Sequence, residues 1–230
     1  VISKTGLVRN ANTQCLNGER FQDDLTCHTN RQVKVANDAN CLAVSESVDG
    51  SGAGFDVVFA VIIGTGCGGG IAVNGKVWSG RAGLAGEWGH NALAPSQSDK
   101  PSQRCWCGKI ACHELYLSGV GLERSFTERA GTSLSAHEIF ARRTICRDAH
   151  GTIELFLDRL ARGIASVVNI LDPDVIVLGG GVSQQPLLYD KLPALMSAYV
   201  FTDNLDVCIR QSFHGDDSGV RGAAWLNRHF

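Results

Sequence analysis

At 230 residues, with 44% hydrophobic and 19% charged residues, the chain can bury a substantial core as one large domain or two lobes. A net charge of -2 leaves no basic face for nucleic acid, and no apolar run reaches the roughly 20 residues that span a bilayer. Nine cysteines, an odd number in a chain too large for a disulfide scaffold, read as metal ligands and reduced thiols; no signal peptide is visible, so the expected compartment is the cytoplasm.

In chain order, Val1 to Val8 reads as a turn and strand already under way. Val33 to Ala36 predicts a short strand, and Ala39 to Val48 has helical periodicity, so Asn37 and Asp38 stand at a strand-to-helix corner. Asp38 there is either a helix N-cap or a carboxylate held at a strand end, where the sites of α/β sheets gather; the local residues favour the cap. Asp49 to Gly54 is a flexible joint and a candidate lobe boundary. Val57 to Ile63 predicts a strand buried on both faces, opening into Gly64-Thr65-Gly66-Cys67-Gly68-Gly69-Gly70. Ile71 to Val73 and Lys76 to Trp78 form a hairpin about Asn74-Gly75.

A glycine loop between two strands is neither a P-loop, which needs Lys-Ser/Thr, nor a Rossmann turn, which needs a following helix. Backbone N–H groups can still cradle phosphate there, with the Thr65 hydroxyl beside them. The bland alternative is a tight hairpin. So many glycines exceed what a turn requires, and close approach of a bulky anion is the expectation.

Cys105, Cys107 and Cys112, with His90 upstream, form a compact set of four soft ligands, which predicts a closed structural zinc site. Gly108 permits the sharp turn between them. Glu87 and Glu114 flank the metal loop, which would aim both carboxylates into one space, suited to the hydroxyls of a polyol. His90 can ligate with one ring nitrogen and donate with the other.

Leu115 to Ala130 and Ser135 to Ala149 read as helices, the second with a capping box at Ser135 and Glu138. Thr152 to Leu171 is the longest helix, ended by Asp172-Pro173-Asp174. Val175 to Leu178 predicts a buried strand running into Gly179-Gly180-Gly181, a second place where a nucleotide could lie flat against backbone. A helical stretch near Leu187 to Tyr199, an edge strand at Val207 to Ile209, a turn at His214 to Gly219 and a helix over Val220 to Asn227 complete the chain.

Five motifs together resemble the ROK family of sugar kinases: Val35 to Asn40, Ile63 to Gly70, Gly86 to His90, the cysteine loop closing on Glu114, and Ile176 to Gly181. Within it, Gly6 to Asn12, Leu16 to Gly18 and His214 to Ala224 are similar to bacterial fructokinases, also called manno(fructo)kinases. The resemblance implies an actin-like, hexokinase-type α/β fold of two lobes with sugar and ATP between them. It implies Asp38 as general base, with Asn37, Glu87, His90 and Glu114 holding the sugar. ATP with Mg²⁺ would lie along Gly64 to Gly68 and Gly179 to Gly181, and zinc on His90, Cys105, Cys107 and Cys112. The implied reaction is conversion of fructose to fructose 6-phosphate by a homodimer without nucleic-acid or membrane partners. The alternatives are a sugar-sensing regulator of the same family or an inactive fragment.

The expected division is a small-lobe remnant over 1–50, a large lobe over 51–216, and a helix over 217–230 returning to the small lobe. Two departures stand out. No stretch matches the Asp-x-Gly-Gly-Thr phosphate loop with which family members begin, so the chain is expected to be truncated. Ala111 replaces a usual glycine and His113 a usual aliphatic residue.

Overall fold

A computed structural model describes residues 5–11, 13–97, 99, 103–202 and 206–226. The expected strand at the very start lies partly on residues 1–4, outside the described residues, as do Asn12 and Asn227. The frame is a five-stranded sheet in the order β3-β2-β1-β4-β5. β1 (Val57–Ile63), β2 (Cys67–Val73) and β3 (Lys76–Val77) form an antiparallel meander. β4 (Val175–Gly179) then runs parallel to β1, and β5 (Cys208–Gln211) parallel to β4 at the edge.

β1 reads as a continuous apolar run because both of its faces are covered. Phe59, Val61 and Ile63 face the larger core, while Val58 and Ala60 face a smaller one; Ile176/Leu178 and Val175/Val177 of β4 alternate the same way. The larger core is closed by α3 (His113–Leu117), α4 (Gly119–Ala130), α5 (Ala136–Ala141), α6 (Arg147–Leu171) and α7 (Pro186–Met196). The other face carries α2 (Asp38–Asp49). α8 (Ser218–Trp225) crosses α2 so tightly that a Cβ on Gly222 would sit 1.8 Å from the Cys41 carbonyl oxygen. Ala39 through Ser47 of α2 are all buried, including the polar Asn40, Ser45, Glu46 and Ser47.

Several sequence expectations change. Phe21–Thr29 is a helix, α1, which its weak apolar pattern did not announce. Residues 33–36 form no ladder, and α1 serves them instead: Thr26 Oγ1 accepts from the Val33 N–H (3.4 Å) and Gln22 Oε1 from the Val35 N–H (3.0 Å). The helix expected at 115–130 is two, broken at Ser118, whose hydroxyl caps α4 by accepting from the Gly121 N–H at 3.0 Å. The helix expected at 135–149 ends at Ala141, with its capping box formed, and α6 begins at Arg147.

Candidate functional site

The glycine-rich stretch is mostly strand. Only Gly64 to Gly66 form the turn, and Cys67 to Gly70 pair with β1 in β2. Much of the glycine content answers the chain itself rather than a ligand. A Cβ on Gly70 would lie 2.3 Å from the Ala39 carbonyl oxygen, and one on Gly69 2.8 Å from that of Gly86. Gly89 likewise presses on the Cys67 carbonyl, where its Cβ would sit at 1.9 Å. Gly64 and Gly181, by contrast, meet nothing within 4 Å. The expectation that an anion explains the whole run is therefore narrowed: two glycines serve the approach of α2 and of the 86–89 segment.

That packing assembles the candidate site around one strand. The start of α2, carrying Asn37 and Asp38, lies on Gly68 and Gly70, and the segment bearing Glu87 and His90 lies on Cys67, Gly69 and Gly70. Glu114 reaches the turn from the other side, its Oε2 accepting from the Cys67 N–H at 3.3 Å. Asn37, not Asp38, is the N-cap: its Oδ1 accepts from the Ala39 N–H at 2.9 Å. Asp38 is the first residue of the helix, its side chain exposed, with Oδ1 also 2.9 Å from the Ala39 nitrogen.

Glu87 and His90 are held by the residue between them. Trp88 is plugged into the core, its Nε1–H donating to the Gly163 carbonyl at 3.1 Å. Gly163 leaves the room on α6, since a Cβ there would meet the indole at 2.8 Å. The His113 ring packs on the same indole with centroids 4.6 Å apart, and burial pushes His113 down to about 4, so it is neutral at physiological pH. Farther along, Arg159 and Arg162 of α6 grip Asp99 at 2.8 and 2.9 Å, tying down the approach to the cysteine loop.

The ligand atoms of His90, Cys105, Cys107 and Cys112 lie within 4.8 Å of one another. Cys105 Sγ is 3.7 Å from His90 Nδ1, and Cys107 Sγ is 3.6 Å from Cys112 Sγ. Bond lengths of about 2.3 Å to sulfur and 2.0 Å to nitrogen give tetrahedral edges of roughly 3.5–3.8 Å, so this donor set fits zinc. Burial and then the neighbouring thiols push Cys112 up to about 12. Two indoles, Trp88 and Trp106, lie beside this group. Trp88 reads as ordinary core. Trp106, between two metal-type cysteines, is half-exposed, yet its Nε1–H donates to Glu114 Oε1 at 2.6 Å.

At the second glycine run, Gly180 has φ 82° and packs on the end of β1, where a Cβ would lie 2.6 Å from the Ile63 carbonyl oxygen. The Gly119 N–H, at the start of α4, donates to the Gly64 carbonyl at 2.7 Å. Both glycine turns thus sit at the carboxyl ends of the adjacent parallel strands β1 and β4, the usual ligand edge of such sheets. Two N–H groups of the first turn are already used, Gly64 on the Gly66 carbonyl (3.0 Å) and Cys67 on Glu114. Glu114 Oε2 also lies against this turn, 2.8 Å from where a Cβ on Gly66 would stand.

The ROK family matches residues 1–229. An N-acetyl-D-glucosamine kinase from Histophilus somni (strain 129Pt) is 39% identical over 98% of this chain and 76% of its own length. The crystal structure of a ROK hexokinase from Thermus thermophilus superposes with a TM-score of 0.86 at 28% identity, over 98% of this chain and 74% of that one. A ROK family transcriptional regulator, a homolog of the E. coli MLC protein, gives 0.81 at 26%, over 98% of this chain and 59% of that one. The hexokinase-type, actin-like ATPase fold is therefore shared by sugar kinases and a regulator. The narrower likeness to fructokinases gives way, because these sequence relatives are named for an amino sugar. With the family matched over almost its whole length and the fold superposing as closely, the chain belongs to the ROK family.

Proposed function

We propose that this chain is the greater part of a hexose kinase that transfers the terminal phosphoryl group of ATP to a sugar hydroxyl, with N-acetylglucosamine as the sugar. One observation carries the reading: Gly66 to Gly70 gather the start of α2, the Glu87–His90 segment and Glu114 beside two glycine turns at the carboxyl edge of the sheet. In it, Asn37, Glu87, His90 and Glu114 receive the sugar, and Asp38 takes the proton of the attacking hydroxyl. Thr65 and Gly66 meet the phosphates, beside Gly64, Cys67 and Gly68, while Gly179 to Gly181 underlie the nucleoside. Phosphoryl transfer depends on such positioning and on charge neutralisation, which Mg²⁺ supplies when bound with ATP.

The sugar follows the relatives rather than the local motifs. Discrimination among hexoses comes from polar groups left unpaired by the wrong hydroxyl pattern, so it is measurable as a ratio of kcat/KM. The test compares N-acetylglucosamine, glucose, mannose and fructose with ATP, in the full-length protein and its Asp38→Asn variant. N-acetylglucosamine should lead by at least about tenfold, and Asp38→Asn should lose roughly 10²–10⁴-fold in rate while still binding sugar. A lead for fructose would restore the fructokinase reading. Sugar binding without transfer by the full-length wild type would favour the regulator, since the fold is shared with the MLC homolog.

A further inference from the structure

We infer that Trp106 is a positioning residue for the sugar site, fixing the Glu114 carboxylate and the His90 ring from within the metal loop; this rests on the hexose reading above. Trp106 keeps 55% of its surface exposed, so burial gives little reason for an indole between Cys105 and Cys107. Its polar atom is nonetheless committed, with Nε1–H on Glu114 Oε1 at 2.6 Å, a short distance of the kind charge-assisted bonds adopt. Its ring packs against that of His90 in a T-shaped pair, centroids 4.9 Å apart and planes at 84°.

Glu114 is thereby held at both oxygens, Oε1 by the indole and Oε2 by the Cys67 N–H at 3.3 Å. An ionised carboxylate has about four acceptor positions, so two such bonds fix its plane and leave capacity for sugar hydroxyls. A carboxylate held by the backbone alone could rotate about its side-chain torsions, and its remaining lone pairs would no longer be aimed. The metal loop then does more than stiffen the fold. Through Trp106 it sets the direction in which Glu114 and His90 present themselves to the sugar.

The experiment is a double-mutant cycle of Trp106→Phe and Glu114→Gln, read as the dissociation constant for N-acetylglucosamine by calorimetry, with bound zinc and melting temperature measured alongside. Phenylalanine keeps an aromatic ring in the loop and removes the N–H donor. Trp106→Phe should weaken sugar binding about tenfold in the wild-type background and change it little when Glu114 is already glutamine, with metal content and melting temperature unchanged. Equal sugar affinity of Trp106→Phe and wild type overturns the proposal, as does a loss that is the same in both backgrounds. A loss that follows metal content also overturns it, since that is the mark of a structural role only. The pattern expected, in a full-length protein that transfers no phosphate, would support Trp106 in this role and overturn the kinase reading instead. No hexose bound by wild type would overturn both.

Discussion

Ala111 turns the chain just before the last cysteine of the metal loop with a φ of 59°, in the left-handed region. For a residue with a Cβ that conformation costs about 1–2 kcal/mol. It is the position at which the resemblance expects glycine, and the backbone shows why: the Ala111 carbonyl must accept from the Leu93 N–H (2.8 Å) while its own N–H donates to Gln103 (2.9 Å). Ala111→Gly relieves the clash but adds freedom to the unfolded chain, which offsets about 0.5–1 kcal/mol. The expected net gain is about 0.5–1 kcal/mol in urea unfolding. Unchanged or reduced stability would mean that the Ala111 methyl contributes packing that outweighs the strain.

Among the elements, α2 carries both Asp38 at its start and, farther on, a fully buried carboxylate, Glu46. Glu46 accepts from the Ser212 and Ser218 hydroxyls, both at 2.7 Å, and from the N–H groups of Ser51 and Phe213, both at 2.9 Å. It thereby clasps the end of α2 to the turn that leads into α8. Burial alone would raise its carboxyl, but the bonds from Ser218, Phe213, Ser212 and Ser51 outweigh that and hold it below the usual range. A depressed folded pKa makes the contribution complete above the unfolded value of about 4.3 and removes it as pH falls through the folded pKa. Glu46→Gln should cost about 1–3 kcal/mol at pH 7, and the gap to wild type should close in denaturant titrations below about pH 4. A gap that is constant with pH would assign the cost to packing rather than to the charge.

Across the whole molecule, the cysteine loop is braced from several elements: His90 follows the segment anchored by Trp88, Cys112 precedes α3, and Asp99 is gripped by α6. Zinc bound to that set would add its binding free energy to folding. Elemental analysis should find one zinc per chain, and Cys107→Ser should lose it with more than about 4 kcal/mol of stability, the linkage expected at a thousandfold excess over Kd. A wild-type chain free of metal yet equally stable would refute the structural role.

What the sequence alone determined were the features written in local chemistry. The apolar run of β1, the Asn-Gly hairpin and the Ser135–Glu138 capping box each depend on neighbours in the chain and appear where expected, and the four side chains of His90, Cys105, Cys107 and Cys112 come together in one group. What only the tertiary structure decided were the features set by contacts distant in sequence. Whether a glycine in β2 makes room for a ligand or for Ala39 depends on where α2 comes to rest, which no spacing within 64–70 encodes. Asn37 rather than Asp38 caps α2, because the choice turns on the backbone angle at which the chain enters. The roles of Glu46 and Trp88 rest on partners 166 and 75 residues away, and a side chain's hydrogen-bond partner is a property of the folded surface around it.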